Sequence, residues 1–191
     1  MASAVRTPAR MLYREIVEGD FRKFEAKSND TDSGGGARDL RFRPYEKLKP
    51  TIDQMFPVTT TETTNQRTIQ VAKGEFKWLD DKGNVQTKDA YFYPPTDARP
   101  NEGRLARVHT YPCFTNKQPP TNMGRILVLL TQLPDGSVWP SFATEQDMLT
   151  NPQWNQTVAK ALLGCLHAKR SSNKVATGFY DFQAKMSFCN D

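Results

Sequence analysis

Lys27 to Pro44 reads KSNDTDSGGGARDLRFRP. Ser28, Asn29, Asp30 and Thr31 lead through Asp32 and Ser33 into Gly34, Gly35 and Gly36, and Arg38, Arg41 and Arg43 follow. Short Asn, Asp, Ser and Thr side chains bond to their own backbone and hold turns. Three residues without a Cβ let the chain adopt φ > 0 and lie close against another surface. A polar loop that rises into an Arg-bearing strand suits contact with phosphates, whose oxygens accept from both amides and guanidinium groups. The same composition fits a flexible surface loop, and the residues alone leave both readings open. The loop is not a nucleotide-binding P-loop, because no Gly-Lys-Ser/Thr follows the glycines.

Outward from this stretch, 191 residues make one domain with a sizeable core. Residues 1–10 read as a mobile N-terminus and 11–191 as the domain. No apolar run approaches the ~18 residues of a membrane span. The first residues, MASAVRTPARM, lack the apolar segment of a secretory signal, so the expected location is the cytoplasm, with no membrane partner. Cys113, Cys165 and Cys189 are odd in number and widely spaced, with no C-x-x-C and only two histidines. They are expected as core or surface thiols, not as a disulfide framework or metal site, and no cofactor is expected. The net charge of +5 favours an anionic partner. Its distribution says more. Trp154 to Tyr180 carries Lys160, Lys169, Arg170 and Lys174 without an acid, whereas Asp135, Glu145 and Asp147 precede it.

Along the chain, Leu12, Ile16 and Val17 recur at helical spacing, which predicts a helix over 11–21, followed by a short strand over 21–27. Pro44 opens a helix with Tyr45, Leu48, Ile52 and Met55 on one face, in which Pro50 should cause a break or kink. VTTTETTNQ (58–66) is a loop or edge strand. Residues 66–79 form a strand interrupted near Lys73-Gly74. DDKGN (80–84) is a hairpin turn and 85–93 the returning strand. Residues 104–111 alternate as a strand, and 125–133 is apolar enough for the middle of a sheet. Pro134-Asp135-Gly136 turns into a strand at 138–142. Gln156 to Lys169 is a helix with Val158, Leu162, Leu163 and Leu166 as its stripe, and Phe179 and Phe182 mark a last strand. This is an α+β or mainly β, barrel-like domain.

A second informative stretch, PPTDARPNEGRLARVHTY, lies between Tyr93 and Tyr111. Arg99, Asn101, Glu102, Arg104 and Arg107 sit on a loop leading into a strand. Arg and Asn read guanine and adenine edges bidentately, and Glu accepts from cytosine N4. A charged hairpin loop in which Glu102 pairs with an arginine accounts for the same residues.

Taken together, the two stretches resemble the DNA-contacting arms of the EcoRII-type restriction endonuclease effector-binding domain, which is related to plant-specific transcription-factor DNA-binding domains. The resemblance rests on N-D-T-x-x-x-G-G with a strand ending at Pro44, and on Arg99 to Arg107 as R-N-E-x-R-x-x-R. It spans about residues 20–145. The chain departs from the pattern by the inserted Pro100, by Gly103 where a basic residue is usual, by Val108 for an aromatic, and by Ala37 where a histidine can stand. The resemblance implies a pseudobarrel of seven-stranded type with short helices at its ends. It further implies two loops that grip the major groove of double-stranded DNA like a wrench. The residues it places at DNA are Arg22, Lys23, Lys27, Ser28, Asn29, Asp30, Thr31, Ser33, Gly35, Gly36, Arg38, Arg99, Asn101, Glu102, Arg104 and Arg107. The expected role is a restriction or defence-type target-recognition domain without its own catalytic centre, free-standing or joined to a nuclease domain or subunit.

Two alternatives compete. Glu25-Ala26-Lys27 matches the second half of a metal-dependent nuclease signature, though Asp20 is too close to supply the other carboxylate from a separate strand. Tyr91, Phe92 and Tyr93 could anchor a protein partner, although at period two one face of them is core. There is no G-x-S-x-G, H-E-x-x-H or dinucleotide fingerprint.

Overall fold

The computed structural model describes residues 7–25, 38–64, 67–120, 124–171 and 174–190. In chain order the elements are β1 (Arg10–Ile16), α1 (Glu18–Phe21), β2 (Leu40–Phe42), α2 (Tyr45–Met55), β3 (Val58–Thr64), β4 (Arg67–Leu79) and β5 (Val85–Tyr93). They continue with β6 (Gly103–Leu105), α3 (Pro112–Thr115), β7 (Ile126–Gln132), β8 (Val138–Thr144), α4 (Glu145–Thr150), α5 (Gln156–His167), β9 (Thr177–Asp181) and β10 (Met186–Cys189). The strands form one curled open sheet, a half-barrel, in the order β10-β9-β1-β7-β8-β4-β5-β6-β2, with β3 on β4 outside this path. The described residues hold ten strands, more than the seven the resemblance implied.

β7 is buried on both faces, and that explains its unbroken run Ile126 to Leu130. Ile126, Val128 and Leu130 point into the half-barrel with Leu12 and Ile16 of β1. Leu127 and Leu129 point the other way with Met11 and Tyr13, under Met148 of α4 and Val158, Leu162 and Leu166 of α5. Each such side chain taken from water contributes about 1.5–3 kcal/mol before entropy is set against it. Aromatic rings are interleaved with aliphatic side chains in this interior. Phe24, Phe76, Phe114 and Phe142 meet edge-on or tilted, with centroids 5.2–6.1 Å apart. Such contacts add about 0.5–1.5 kcal/mol each.

Several local expectations change. Residues 10–16 are strand β1, paired with β7 on one side and β9 on the other, and only 18–21 are helical. Leu12 and Ile16 are four apart, a spacing that satisfies period two as well as 3.6, and cross-strand pairing decides between them. Residues 22–24 form a 3₁₀ turn and not a strand. α2 continues through Pro50, which is exposed, while Leu48, Thr51, Ile52 and Met55 on the opposite face are buried. β4 runs unbroken through Gly74 because the glycine lets α2 approach. A Cβ there would stand 2.5 Å from the Met55 carbonyl oxygen.

The cysteines are a further correction. Cys165 of α5 and Cys189 of β10 form a disulfide, with their Cα atoms 5.6 Å apart. Two residues 24 positions apart in sequence are brought together when α5 packs over β1 and β9 and the chain returns as β10. Cys113 is a free, buried thiol whose pKa burial pushes up to about 12, so it is unreactive near neutrality.

Candidate nucleic-acid interface

The two informative stretches meet as paired strands. β2 and β6 run antiparallel, with Leu40 opposite Leu105, Arg41 opposite Arg104 and Phe42 opposite Gly103. Leu40, Phe42 and Leu105 are fully buried, which fixes the register and turns Arg41 and Arg104 to the other face. Because the pair is antiparallel, the chain preceding β2 and the chain preceding β6 arrive at opposite ends of it. At one end Val108 N donates to the Arg38 carbonyl at 3.1 Å. At the other, Tyr45 N donates to the Asn101 carbonyl at 3.2 Å. A three-residue strand separates these ends by about 10 Å.

At the Arg38 end the guanidinium donates to the carbonyls of Arg22 and Glu25, the latter at 2.9 Å, tying Arg38 to the 3₁₀ turn that precedes the first stretch. Lys27, Ser28, Asn29, Asp30, Thr31, Ser33, Gly35 and Gly36 lie outside the described residues, and so does Ala37. Asp39, which the sequence reading did not single out, organises this end. Its carboxylate is 3% exposed in the side chain, accepts from Arg104 Nη1 at 3.2 Å and accepts from the Arg107 amide at 2.9 Å. Arg107 has φ +50 and ψ +46, a left-handed conformation uncommon outside glycine, and it turns the chain out of β6 into a 3₁₀ turn. The strand expected over 104–111 therefore ends at Leu105. Arg104 also lies over the Tyr93 ring at 5.3 Å. The Tyr93 hydroxyl donates to Glu62, and its pKa is pushed up to about 12 by burial and by that bond.

At the other end Glu102 is the organiser. Its carboxylate is 7% exposed and is ringed by three guanidinium groups: Arg41 at 3.5 Å, Arg99 at 3.3 Å, and Arg43 in direct contact. The three arginines keep 34%, 45% and 50% of their side chains exposed, so the ring presents donors to solvent. Burial and the like charges of Arg41, Arg99 and Arg14 lower the Arg43 pKa below its ordinary value. The group stays charged at neutral pH, and crowding like cations favours the arrival of an anion.

These residues line one side of an open groove of about 1120 Å³ between the two margins of the curled sheet. Seven of its nineteen lining residues are Lys or Arg, against the carboxylates Asp20 and Glu102. Arg14, at the base, spans the gap. Its guanidinium donates to the Arg41 carbonyl of β2 at 2.7 Å, to the Glu15 carbonyl at 2.8 Å and to Asp20 at 2.8 Å. Lys23 reaches the other Asp20 oxygen at 2.6 Å. Burial alone would raise the Asp20 pKa, but the charges and hydrogen bonds of Arg14 and Lys23 hold it below the ordinary value. Lys47 of α2 adds charge beside Arg43, and Lys174 and Asn190 form the opposite wall.

The structure thus places Lys23, Arg99, Asn101 and Glu102 on the groove, Arg104 and Arg107 around Asp39, and Arg38 on the Arg22 and Glu25 carbonyls. Arg22 is exposed beside them. Arg14, Lys47 and Lys174 are groove residues that no motif marks. The one sequence signal for Lys174 is the acid-free stretch around it. Of the residues expected for a nuclease, Asp20 is occupied by Arg14 and Lys23, Glu25 is exposed, and Lys27 lies outside the described residues. No group of three or more His, Cys, Asp or Glu among the described residues could hold a metal ion. Of the aromatic trio, Phe92 belongs to the core. No helix among the described residues is long and apolar enough to cross a membrane.

Gly103, where a basic residue was the expected pattern, sits against two rings. A Cβ there would lie 2.5 Å from both Phe92 Cε1 and Tyr45 Cδ2. Gly103→Ala should therefore cost about 2 kcal/mol through overpacking, read as a lower thermal midpoint by differential scanning calorimetry. An unchanged midpoint would mean that the rings yield freely.

No family model, curated protein or solved structure matches the chain.

Proposed function

We propose that the chain is a double-stranded DNA-binding domain that grips the duplex with the cationic groove and the two Arg-bearing segments joined through β2 and β6. In this reading the half-barrel serves as a DNA-binding pseudobarrel of a restriction or defence system, and any cleavage belongs to an associated nuclease domain or subunit. The observation that carries the reading is the exposed ring of Arg41, Arg43 and Arg99, oriented by one buried carboxylate on the rim of a groove rich in Lys and Arg. Partly exposed guanidinium forks match phosphate oxygens. Asn101, whose backbone is clamped by Tyr45 and whose side chain is exposed, is the candidate reader of a base edge.

Fluorescence-anisotropy titration of a random-site duplex pool tests this. With ~6–10 phosphate contacts, affinity should fall about 10³–10⁵-fold between 50 and 200 mM salt. Arg43→Ala and Arg99→Ala should each reduce the salt slope by about 1, whereas Asn101→Ala should relax base preference in the selected pool. Absence of binding at low salt, or binding indifferent to both arginine variants, overturns the reading.

A further inference from the structure

We infer that the Cys165–Cys189 disulfide is a redox latch on the groove's far wall, so that a dithiol reductant weakens duplex binding by loosening that wall. This rests on the proposed use of the groove. β10 is the last strand of the sheet order and hydrogen-bonds to β9 alone in that order. Phe188 and Asn190, which flank Cys189, line the groove together with Lys174, Val175 and Thr177.

The bridge joins this strand to α5, which is anchored in the outer core through Val158, Leu162 and Leu166. One arginine relays the constraint. Arg170 Nη2 donates to Cys165 Sγ at 3.2 Å and to Cys189 Sγ at 2.8 Å, while its Nε donates to the Asn190 carbonyl and side-chain oxygens at 3.1 Å. Asn190 in turn donates to the Val175 carbonyl at 3.0 Å and accepts from the Thr177 amide at 2.8 Å. The sulfurs, Arg170, Asn190 and the 175–177 wall therefore form one chain of contacts.

The chemistry balances with a dithiol as reductant. Cys165 is buried and Cys189 is partly exposed, so a thiolate of the dithiol attacks Cys189 Sγ. The Cys165–Cys189 bond breaks, and Cys165 leaves as a thiolate beside the Arg170 guanidinium, which lowers the cost of that charge. The second thiol of the reductant then attacks the mixed disulfide. Cys189 is released, the dithiol closes to its own disulfide, and its two hydrogens end on the two cysteines. Freed of the bridge, β10 keeps its ladder to β9 and the Tyr13 hydroxyl on the Phe188 carbonyl but loses its covalent tie to α5, and the Arg170–Asn190 relay behind Lys174 and Val175 loosens with it.

The experiment compares air-oxidised, dithiothreitol-reduced and reoxidised wild type with Cys189→Ser. Thiol labelling of the denatured oxidised protein should find one free cysteine, Cys113, and finding three overturns the latch. Amide exchange over residues 174–190 should be faster in the reduced form and in Cys189→Ser. Exchange that is the same in all forms also overturns it. Duplex affinity at low salt should fall about tenfold on reduction, return on reoxidation, and be indifferent to reductant in Cys189→Ser. Equal affinity in both redox states removes the latch and leaves the groove reading standing. If no form binds duplex, the groove reading falls, and the exchange data alone decide whether the bridge holds the wall.

Discussion

Glu102→Ala should destabilise the protein by about 2 kcal/mol and weaken duplex binding. A surface view of charge predicts the reverse, because removing an acid from a basic face raises its net charge. Here the carboxylate is buried, and it is in contact with Arg41, Arg43 and Arg99. Without it, three like charges face one another and the loop before β6 loses its anchor. The cost is placed below the ~3–5 kcal/mol of a fully buried pair because the arginines are one third to one half exposed and solvent screens them. Glu102→Gln keeps the volume and one acceptor and should fall between the two. Urea denaturation and anisotropy on the same samples check this. Tighter binding with unchanged stability would show that Glu102 orients nothing.

Arg14→Ala should cost more, about 3 kcal/mol, because it strips a buried carboxylate of one of its two cationic partners and two carbonyls of the guanidinium that bonds them. Arg14 is 6% exposed and links β1 to the far margin β2. Its loss should also change the response to acid. Asp20 has a folded-state pKa below the ordinary 3.8, so its ion pairs contribute stability that is present above that value and lost as the pH falls through the depressed one. In Arg14→Ala only Lys23 remains to lower that pKa, so the acid-induced loss should begin at higher pH. Unfolding free energies between about pH 2 and 7 measure this, and superimposable pH profiles would contradict it.

The parts of the fold legible in the sequence were those whose signal is local. β7 announces itself because both of its faces are buried, the β4–β5 hairpin because Asp80 to Asn84 is turn chemistry, and α5 because its stripe is regular. β1 was misread because Leu12 and Ile16 fit both periods, and what decides is a partner strand far along the chain. The disulfide was missed for the same reason, since spacing cannot say that α5 and β10 will pack together. In the site, the Arg-rich stretches stand out by composition, but only one of their two organisers does. Glu102 is marked in the sequence, and its pairing with an arginine is one of the two readings open there, but Asp39 is an ordinary acid that becomes an anchor only when folding buries it beside Arg104. Arg14, Lys47 and Lys174 come from three separate segments, and only the curl of the sheet brings them to one groove.

The place of β1 between β7 and β9 also sets an order of assembly. Arg10 pairs with Gln132 on one side and with Asp181 on the other, so β1 finds both of its neighbours only after long stretches of chain have followed it. Hairpins such as β4–β5 close within about 1–10 μs. The β1 pairings must instead overcome the entropy of very large loops, which places the chain among slow folders whose contacts are distant in sequence. During synthesis β1 waits with an open edge until the residues of β9 emerge, and over that interval the nascent chain is most exposed to mispairing and aggregation.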